Sequence, residues 1–403
     1  MTERLYYTDP YSTSFDAAVV RSFDHQGRPA VVLDRTAFYP TSGGQPHDVG
    51  TLDAAKVVDV VDLEDGTVAH VLESALSARD AVHGEINWAR RFDHMQQHTG
   101  QHVLSAAFDH LFSNRTMSFH MGADVSTIDL AQDAAADVIA AAEREANRVV
   151  WEDRPVEIRF ATEEEAAALP LRKEPARGGT LRLIDIADFD LSACGGTHVA
   201  RTGGIGIVAV SAWERFRGGT RVSFVCGGRA LRLFRSYRDS VTGSIRTLSV
   251  LPEELPSAIE RVQNESKDLR RTVKTLQEAL ASHEAARMVA SAPIVGGTRL
   301  VVGALEGWDA QGLKAIAAAA TSGDSVVAAL CSASLPALVV VARSRNQGVD
   351  SGAVLKQLVQ QFGGRGGGKA DMAQGGGLEA PVAQIVEAAR SIIERELSSS
   401  RPN

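Results

Sequence analysis

The sequence predicts an α+β multidomain protein: a small N-terminal β-barrel-like domain, a larger α+β domain, a helical arm and a small C-terminal α/β domain. Three observations carry that expectation. Short segments that alternate apolar and polar positions fill residues 1–90. From Asp93 the apolar spacing changes to three and four residues, as one face of a helix requires. From Leu255 a 4-3 alternation runs for about four repeats, and beyond Pro293 strand-like runs alternate with helix-like ones. The expected boundaries are 1–90, 91–250, 251–292 and 293–403.

In the first domain the strand candidates are 17–20, 29–33, 57–63, 67–72 and 81–88, punctuated by the turn formers Gly43, Gly44, Asp65 and Gly66. Met95, Val103, Leu104, Ala107 and Leu111 then mark a helix, and an alanine-rich second helix spans 134–150. Strand candidates follow at 156–160, 181–186, 205–213 and 221–225. Leu255, Ile259, Val262, Ser266, Leu269, Val273, Leu276, Leu280 and His283 form a heptad seam with polar lapses at Ser266 and His283. Such a seam packs either on its own chain, as a hairpin arm, or on a second copy in a homodimer. In the last domain the strand candidates are 299–303, 325–330 and 337–343, and the helix candidates 313–320, 352–362 and 378–397.

Composition narrows the class. A chain of 403 residues exceeds a single core, and 44% hydrophobic with 23% charged residues is ordinary for a globular protein. Cys194, Cys226 and Cys331 are odd in number and far apart, which argues against a disulfide framework and for a reducing, cytoplasmic setting. Cys226 and Cys331 lie in apolar runs and read as packing residues. The N-terminus shows no apolar signal segment, and no run is long enough to span a membrane. Net charge is −8, so any nucleic-acid contact needs a local patch. Eight arginines between Arg215 and Arg246 offer one.

Two short motifs carry chemistry. His98 and His102 lie four apart in the first strong helical pattern, so both imidazoles share one face, about 6 Å apart at the backbone. Ninety-two residues later Cys194-Gly195-Gly196-Thr197-His198 offers a thiolate and an imidazole across a glycine turn. Three imidazoles and one thiolate suit tetrahedral zinc. His94 extends the helical row by a turn and reads as a supporting or helix-start residue. Thr99 stands where a zincin protease carries its glutamate, which disfavours that class.

The segments FDHMQQHTGQHVLSAAF and CGGTHVARTGGIG resemble the editing domain of alanyl-tRNA synthetases and of the free-standing alanyl-tRNA editing proteins. FYPTSGGQPHDVG, from Phe38 to Gly50, resembles the glycine-rich motif of the same family's barrel-like domain. GGRGGGKADMAQGGG, from Gly363 to Gly377, resembles the tRNA-binding domain at the synthetase C-terminus, shared with DHH-type phosphodiesterases. Gly204 departs from the acidic residue usual in relatives.

The resemblance implies one Zn²⁺ per chain on His98, His102, Cys194 and His198, in an α+β zinc editing domain. It implies Gly43, Gly44 and Gln45 at the same pocket, with Gln45 and Thr116 as catalytic or hydroxyl-reading residues and Arg365 and Lys369 on an RNA-facing surface. The implied activity is a trans-acting hydrolase of mischarged Ser-tRNA(Ala), with Gly-tRNA(Ala) a second substrate. The partner is tRNA(Ala) mischarged with serine, with no membrane. A chain opening on the barrel-like part implies no aminoacylation. A non-catalytic zinc-containing tRNA-binding protein is the alternative. No Asp-His-His run occurs, so phosphodiesterase chemistry is not expected.

Overall fold

The structure, a computed structural model, describes residues 1–77, 80–172 and 179–399. The chain divides into two compact units, Met1–Ser244 and Ile245–Asn403.

The first unit begins with β1 (Glu3–Arg4), β2 (Ser14–His25), β3 (Arg28–Leu33), β4 (Arg35–Thr36), β5 (Gly50–Leu52), β6 (Ala55–Asp62), β7 (Val68–Leu72) and β8 (Ala81–Ile86). Six of these close a barrel in the order β2-β3-β7-β6-β5-β8, while β1 pairs with β4 in parallel. The alternation read in the sequence is the barrel's inside and outside: along β8, Val82, Gly84 and Ile86 are buried and their neighbours exposed. Phe15, Val31, Leu33, Phe38, Leu52, Val57 and Leu72 fill the interior.

Next comes α1 (Trp88–Phe112), the helix carrying the His-x3-His motif. Asn87 caps it by accepting from the N–H of Arg90 at 3.0 Å, and Ser113 ends it in the left-handed region at φ 50°. Arg91 on its first turns is wholly buried. It meets Asp48 from the loop before β5 at 2.5 Å and also donates to the carbonyls of Pro10 and Ala37. A buried pair stabilises only when its remaining polar atoms are satisfied, and here they are, which fixes α1 against the barrel.

The remaining elements of this unit are β9 (Thr116–Met121), β10 (Ser126–Leu130), α2 (Ala136–Trp151), β11 (Val156–Ala161), α3 (Glu163–Ala167), β12 (Leu181–Ile186), β13 (Asp190–Ala193), β14 (Val208–Phe216), β15 (Gly219–Cys226) and α4 (Gly227–Leu248). They form a four-stranded sheet β14-β15-β10-β9 and a three-stranded sheet β11-β12-β13. Helices α1 and α2 pack Met95, Leu104, Phe108, Ile139, Ala142 and Val149 on Ile128, Val222 and Phe224. A Cβ at Gly100 would overlap Cys226 Sγ, so glycine lets β15 approach α1. Leu111, read as part of the apolar stripe, is exposed in the last turn of α1. The arginine run contains α4, which the sequence reading did not place.

The second unit holds α5 (Leu255–Ser291), β16 (Ile294–Val295), β17 (Thr298–Leu305), α6 (Ala310–Ala320), β18 (Val326–Ser332), β19 (Ala337–Arg343), α7 (Ser351–Phe362), β20 (Arg365–Gly368), β21 (Met372–Leu378) and α8 (Val382–Ser399). Its six-stranded sheet runs β16-β17-β18-β19-β21-β20, parallel only between β17 and β18. Val327, Ala329 and Cys331 of β18 face α7 and α8, and Val326, Ala328 and Leu330 face α6 and the end of α5. Burial on both faces explains why this strand is apolar throughout. The glycine-rich stretch forms the β20–β21 hairpin.

The heptad seam of α5 differs from a hairpin arm packed on its own chain. Ala281 and Ala285 pack on α6, but Ile259, Val262, Leu269, Val273, Leu276 and Leu280 stay exposed, Leu269 by 65%. Among the described residues no helix is long and apolar enough to cross a membrane.

Candidate metal centre and adjoining cleft

One turn of α1 separates His98 from His102, and the loop after β13 carries Cys194 and His198 against the same helix face. The four ligand atoms lie within 4.8 Å of one another. Cys194 Sγ is 3.4 Å from His98 Nε2 and 3.3 Å from His198 Nε2. Zn–N near 2.0–2.1 Å and Zn–S near 2.3 Å place tetrahedral N and S atoms roughly 3.5 Å apart. The donor set and its spacing therefore fit zinc.

The ring orientations fit as well, because each histidine is held by its other nitrogen. Gln45 Oε1 lies 2.8 Å from His98 Nδ1 and also accepts the N–H of Thr197 at 3.1 Å, which fixes the amide's orientation. Asp190 Oδ2 lies 3.0 Å from His102 Nδ1. Thr99 Oγ1 lies 3.2 Å from His198 Nδ1 and accepts the N–H of Val199 at 3.1 Å. An amide oxygen and a carboxylate only accept, so Nδ1 of His98 and His102 carries the proton and Nε2 presents its lone pair to the centre. Thr99, where the zincin pattern has glutamate, is thus a ring holder.

The loop itself is clamped from behind. Arg182 is buried and donates to the carbonyls of Cys194 at 2.7 Å, Gly196 at 2.9 Å and Tyr7 at 2.9 Å. A Cβ on Gly196 would overlap the His98 ring, so only glycine fits there. A Cβ on Gly195 would make only an ordinary contact with the Tyr7 hydroxyl at 3.7 Å.

Electrostatics agree with a ligand role. Burial works to raise the Cys194 thiol, but the hydrogen bond with His102, the N–H of Gly196 and the nearby Arg182 outweigh it and hold the thiol below its ordinary range. Burial, then the charges of His98, His102 and Arg182, keep His198 well below the usual imidazole value. Burial opposes the charge on Asp190, yet His102 and Arg172 bring its carboxyl down to about 2.

A cleft of about 160 Å³ opens beside the four residues. Thr116, Met117 and Phe119 of β9, Gln101 of α1, and Arg172, Ser192 and Cys194 line it. Phe119 stacks on His98 with ring centroids 5.4 Å apart. Gly43 lines the mouth; Gly43 and Gly44, at φ +57° and +86°, make the tight turn that Ser42 and Gln45 close. A side chain at Gly44 would come within 2.8 Å of the Phe119 carbonyl.

Gln45 is placed differently from expectation. It is fully buried behind His98, and its Nε2 donates to Thr197 Oγ1 at 2.8 Å, so neither amide atom reaches the cleft. Thr116 does line the cleft. His94 is buried outside the ligand group, and burial holds its pKa at about 4. Arg365 and Lys369 sit far along the chain on the exposed β20 hairpin, neither in an ion pair among the described residues. Of the arginine run, Arg221 pairs with Asp129 and Arg229 with Asp93, which leaves fewer free cations than the sequence suggested. Asp190, Arg182 and Gln101 were missed in the sequence reading, since no local spacing marks them.

The chain is similar in sequence to several known proteins. The family described as Threonyl and Alanyl tRNA synthetase second additional domain matches residues 181–222, tRNA synthetases class II (A) matches 6–90, and the DHHA1 domain matches 297–396. The alanine–tRNA ligase of Natronomonas pharaonis is 34% identical over 395 residues, covering 93% of this chain and 42% of that protein. The ligase of Halobacterium salinarum is 35% identical over 398 residues, covering 94% and 42%. The chain thus spans well under half the length of these ligases. The alanyl-tRNA editing protein AlaX-L of Pyrococcus horikoshii is 31% identical over 392 residues, covering 93% of this chain and 94% of that protein. A C-Ala domain structure from Aquifex aeolicus alanyl-tRNA synthetase is 24% identical over 27% of this chain and 98% of that one, at a TM-score of 0.24, too low to bear on the fold.

The first unit therefore carries tRNA-synthetase family segments at 6–90 and 181–222, with its own His/Cys cluster between α1 and the loop after β13. The chain belongs to the alanyl-tRNA editing protein family.

Proposed function

We propose that the protein is a zinc-dependent aminoacyl-tRNA hydrolase that acts in trans on Ser-tRNA(Ala), with Gly-tRNA(Ala) as a second substrate and no aminoacylation activity. The observation that carries this reading is the ligand set of His98, His102, Cys194 and His198, each imidazole oriented by a partner, beside a cleft lined with polar side chains. Zinc, when bound there, supplies Lewis acidity toward an ester carbonyl or a water.

The chain's own groups do the rest. Asp190 and Gln45 hold His102 and His98 in one tautomer, Thr99 orients the His198 ring, and Arg182 fixes the loop that presents Cys194. Gly43 and Gly44 let the terminal adenosine approach the backbone at the mouth, and Thr116 lies where the aminoacyl side chain enters. Gln45 acts through His98 and does not touch substrate. Residues 1–90 and 91–250 build the site. The arm at 251–292 and the domain at 293–403, with Arg365 and Lys369, grip tRNA(Ala) and serve a homodimer in the cytoplasm.

The test compares deacylation of Ser-tRNA(Ala), Gly-tRNA(Ala) and Ala-tRNA(Ala), with ATP–pyrophosphate exchange in parallel. Fast release of serine with alanine spared and no exchange is expected. Equal cleavage of serine and alanine removes the editing assignment, and zinc with no cleavage favours the non-catalytic tRNA-binding reading.

A further inference from the structure

Residues 98, 101, 102 and 105 share one face of α1, so the face that carries two metal ligands also carries Gln101 and Ser105. Gln101 Nε2 donates to Ser105 Oγ at 2.8 Å, and Thr116 Oγ1 donates to the same oxygen at 2.8 Å. Ser105 is wholly buried and Gln101 only 7% exposed, that remnant facing the cleft. The Gln101 amide is therefore fixed through its nitrogen, and its carbonyl oxygen makes no hydrogen bond among the described residues.

The hydroxyls of the cleft have already committed their protons, and each keeps only a hydroxyl oxygen as acceptor. Thr116 gives its proton to Ser105, Ser118 donates to Asp129 at 2.5 Å, and Ser192 donates to Asp190 at 3.0 Å. Arg172 only donates, and it grips Asp190 at 2.6 Å. An amide carbonyl held in place by a buried anchor is the strongest neutral acceptor this wall offers to an incoming hydroxyl.

We propose that Gln101 is the specificity-determining residue, its side-chain carbonyl accepting a hydrogen bond from the hydroxyl of the aminoacyl group. This rests on the deacylase reading above and adds the group that separates serine from alanine. An alanyl group would cover the same carbonyl and leave it unpaired, and a site built to bond a hydroxyl rejects the analogue lacking one for that reason. Thr116 shapes the wall and orients Ser105; it is a positioning residue for the reader.

The experiment measures kcat/KM for Ser-tRNA(Ala) and Ala-tRNA(Ala) in the full chain, in Gln101→Met, which keeps length and loses the acceptor, and in Ser105→Ala, which frees the anchor. Zinc content and circular dichroism are recorded for each. The Ser/Ala ratio is expected to fall about tenfold or more in Gln101→Met, and to a smaller extent in Ser105→Ala, with zinc content unchanged. A wild-type chain without a serine preference defeats the deacylase specificity reading, and this inference with it. A wild type that prefers serine while Gln101→Met keeps the ratio overturns the inference alone. If Gln101→Met loses zinc or structure, Ser105→Ala decides: a preserved ratio overturns the proposal and a reduced one sustains it.

Discussion

The side-chain oxygen of Gln45, from the turn before β5, sits 2.8 Å from Nδ1 of His98 on α1, joining a barrel loop to a ligand 53 residues away. The same oxygen takes the N–H of Thr197, so one amide fixes both a ligand ring and the loop that carries Cys194 and His198. One zinc per chain is expected by elemental analysis. Gln45→Ala should weaken zinc affinity about 10–100-fold in chelator competition. Unchanged affinity would mean the contact is incidental. A Cys194→Ala and His198→Ala double variant should hold no zinc.

The two glycines of the CGGTH loop should behave in opposite ways. A methyl at Gly196 runs into the His98 ring, while one at Gly195 meets nothing nearer than 3.7 Å. Gly196→Ala is expected to cut zinc retention about tenfold or more, whereas Gly195→Ala keeps it. Equal zinc content in both variants would refute the packing argument.

His70 supplies a pH signature outside the site. It is fully buried in the barrel, its Nδ1 facing the Val31 carbonyl and its Nε2 at 2.7 Å from the Thr36 hydroxyl. Burial holds its pKa at about 4, against an ordinary value of 6.5. The unfolded chain thus binds a proton from pH 6.5 downward that the folded chain refuses until about 4. Stability from this group is complete above 6.5, is lost as pH falls, and levels off below 4. The total is about 3 kcal/mol. Denaturant titrations should show His70→Gln with a shallower acid dependence across that window, and parallel curves would speak against it.

A chain ending near Pro252 should keep zinc and a measurable turnover at saturating tRNA. Its KM should rise about tenfold or more, the loss of about 1.4 kcal/mol of uniform binding. The salt dependence of binding should flatten as phosphate contacts are removed. An unchanged KM and salt slope would assign the grip to arginines of α4.

The bare seam of α5 predicts self-association. Leu269 and Leu276, exposed by 65% and 64%, lie a heptad apart with Val273 between them. Sedimentation should give twice the chain mass of 42.9 kDa, and Leu269→Lys with Leu276→Lys should return a single chain. A monomeric wild type would leave the seam to another role.

Much of this molecule is written in local pattern. Most barrel strands, α1 and α2 follow from period-2 and period-3.6 spacing, because burial on one face constrains each neighbouring residue in turn, while β18 and β19 follow from unbroken apolar runs buried on both faces. The four residues of the His/Cys cluster were legible too, since His-x3-His and Cys-x3-His spacings are short-range facts about a helix face and a glycine turn. Helix α4 was not, because its arginines and glycines show little apolar period until Leu231, Phe234, Tyr237 and Val241 are seen as one face. What only the tertiary structure decided is the set of partners: Gln45 behind His98, Asp190 behind His102, Arg182 under the Cys194 loop, and Gln101 open to the cleft. The first three contacts join residues 53, 88 and 12 positions apart. A side-chain hydrogen bond imposes no periodicity on the chain around it, so it becomes visible only when folding brings donor and acceptor within three ångströms or so.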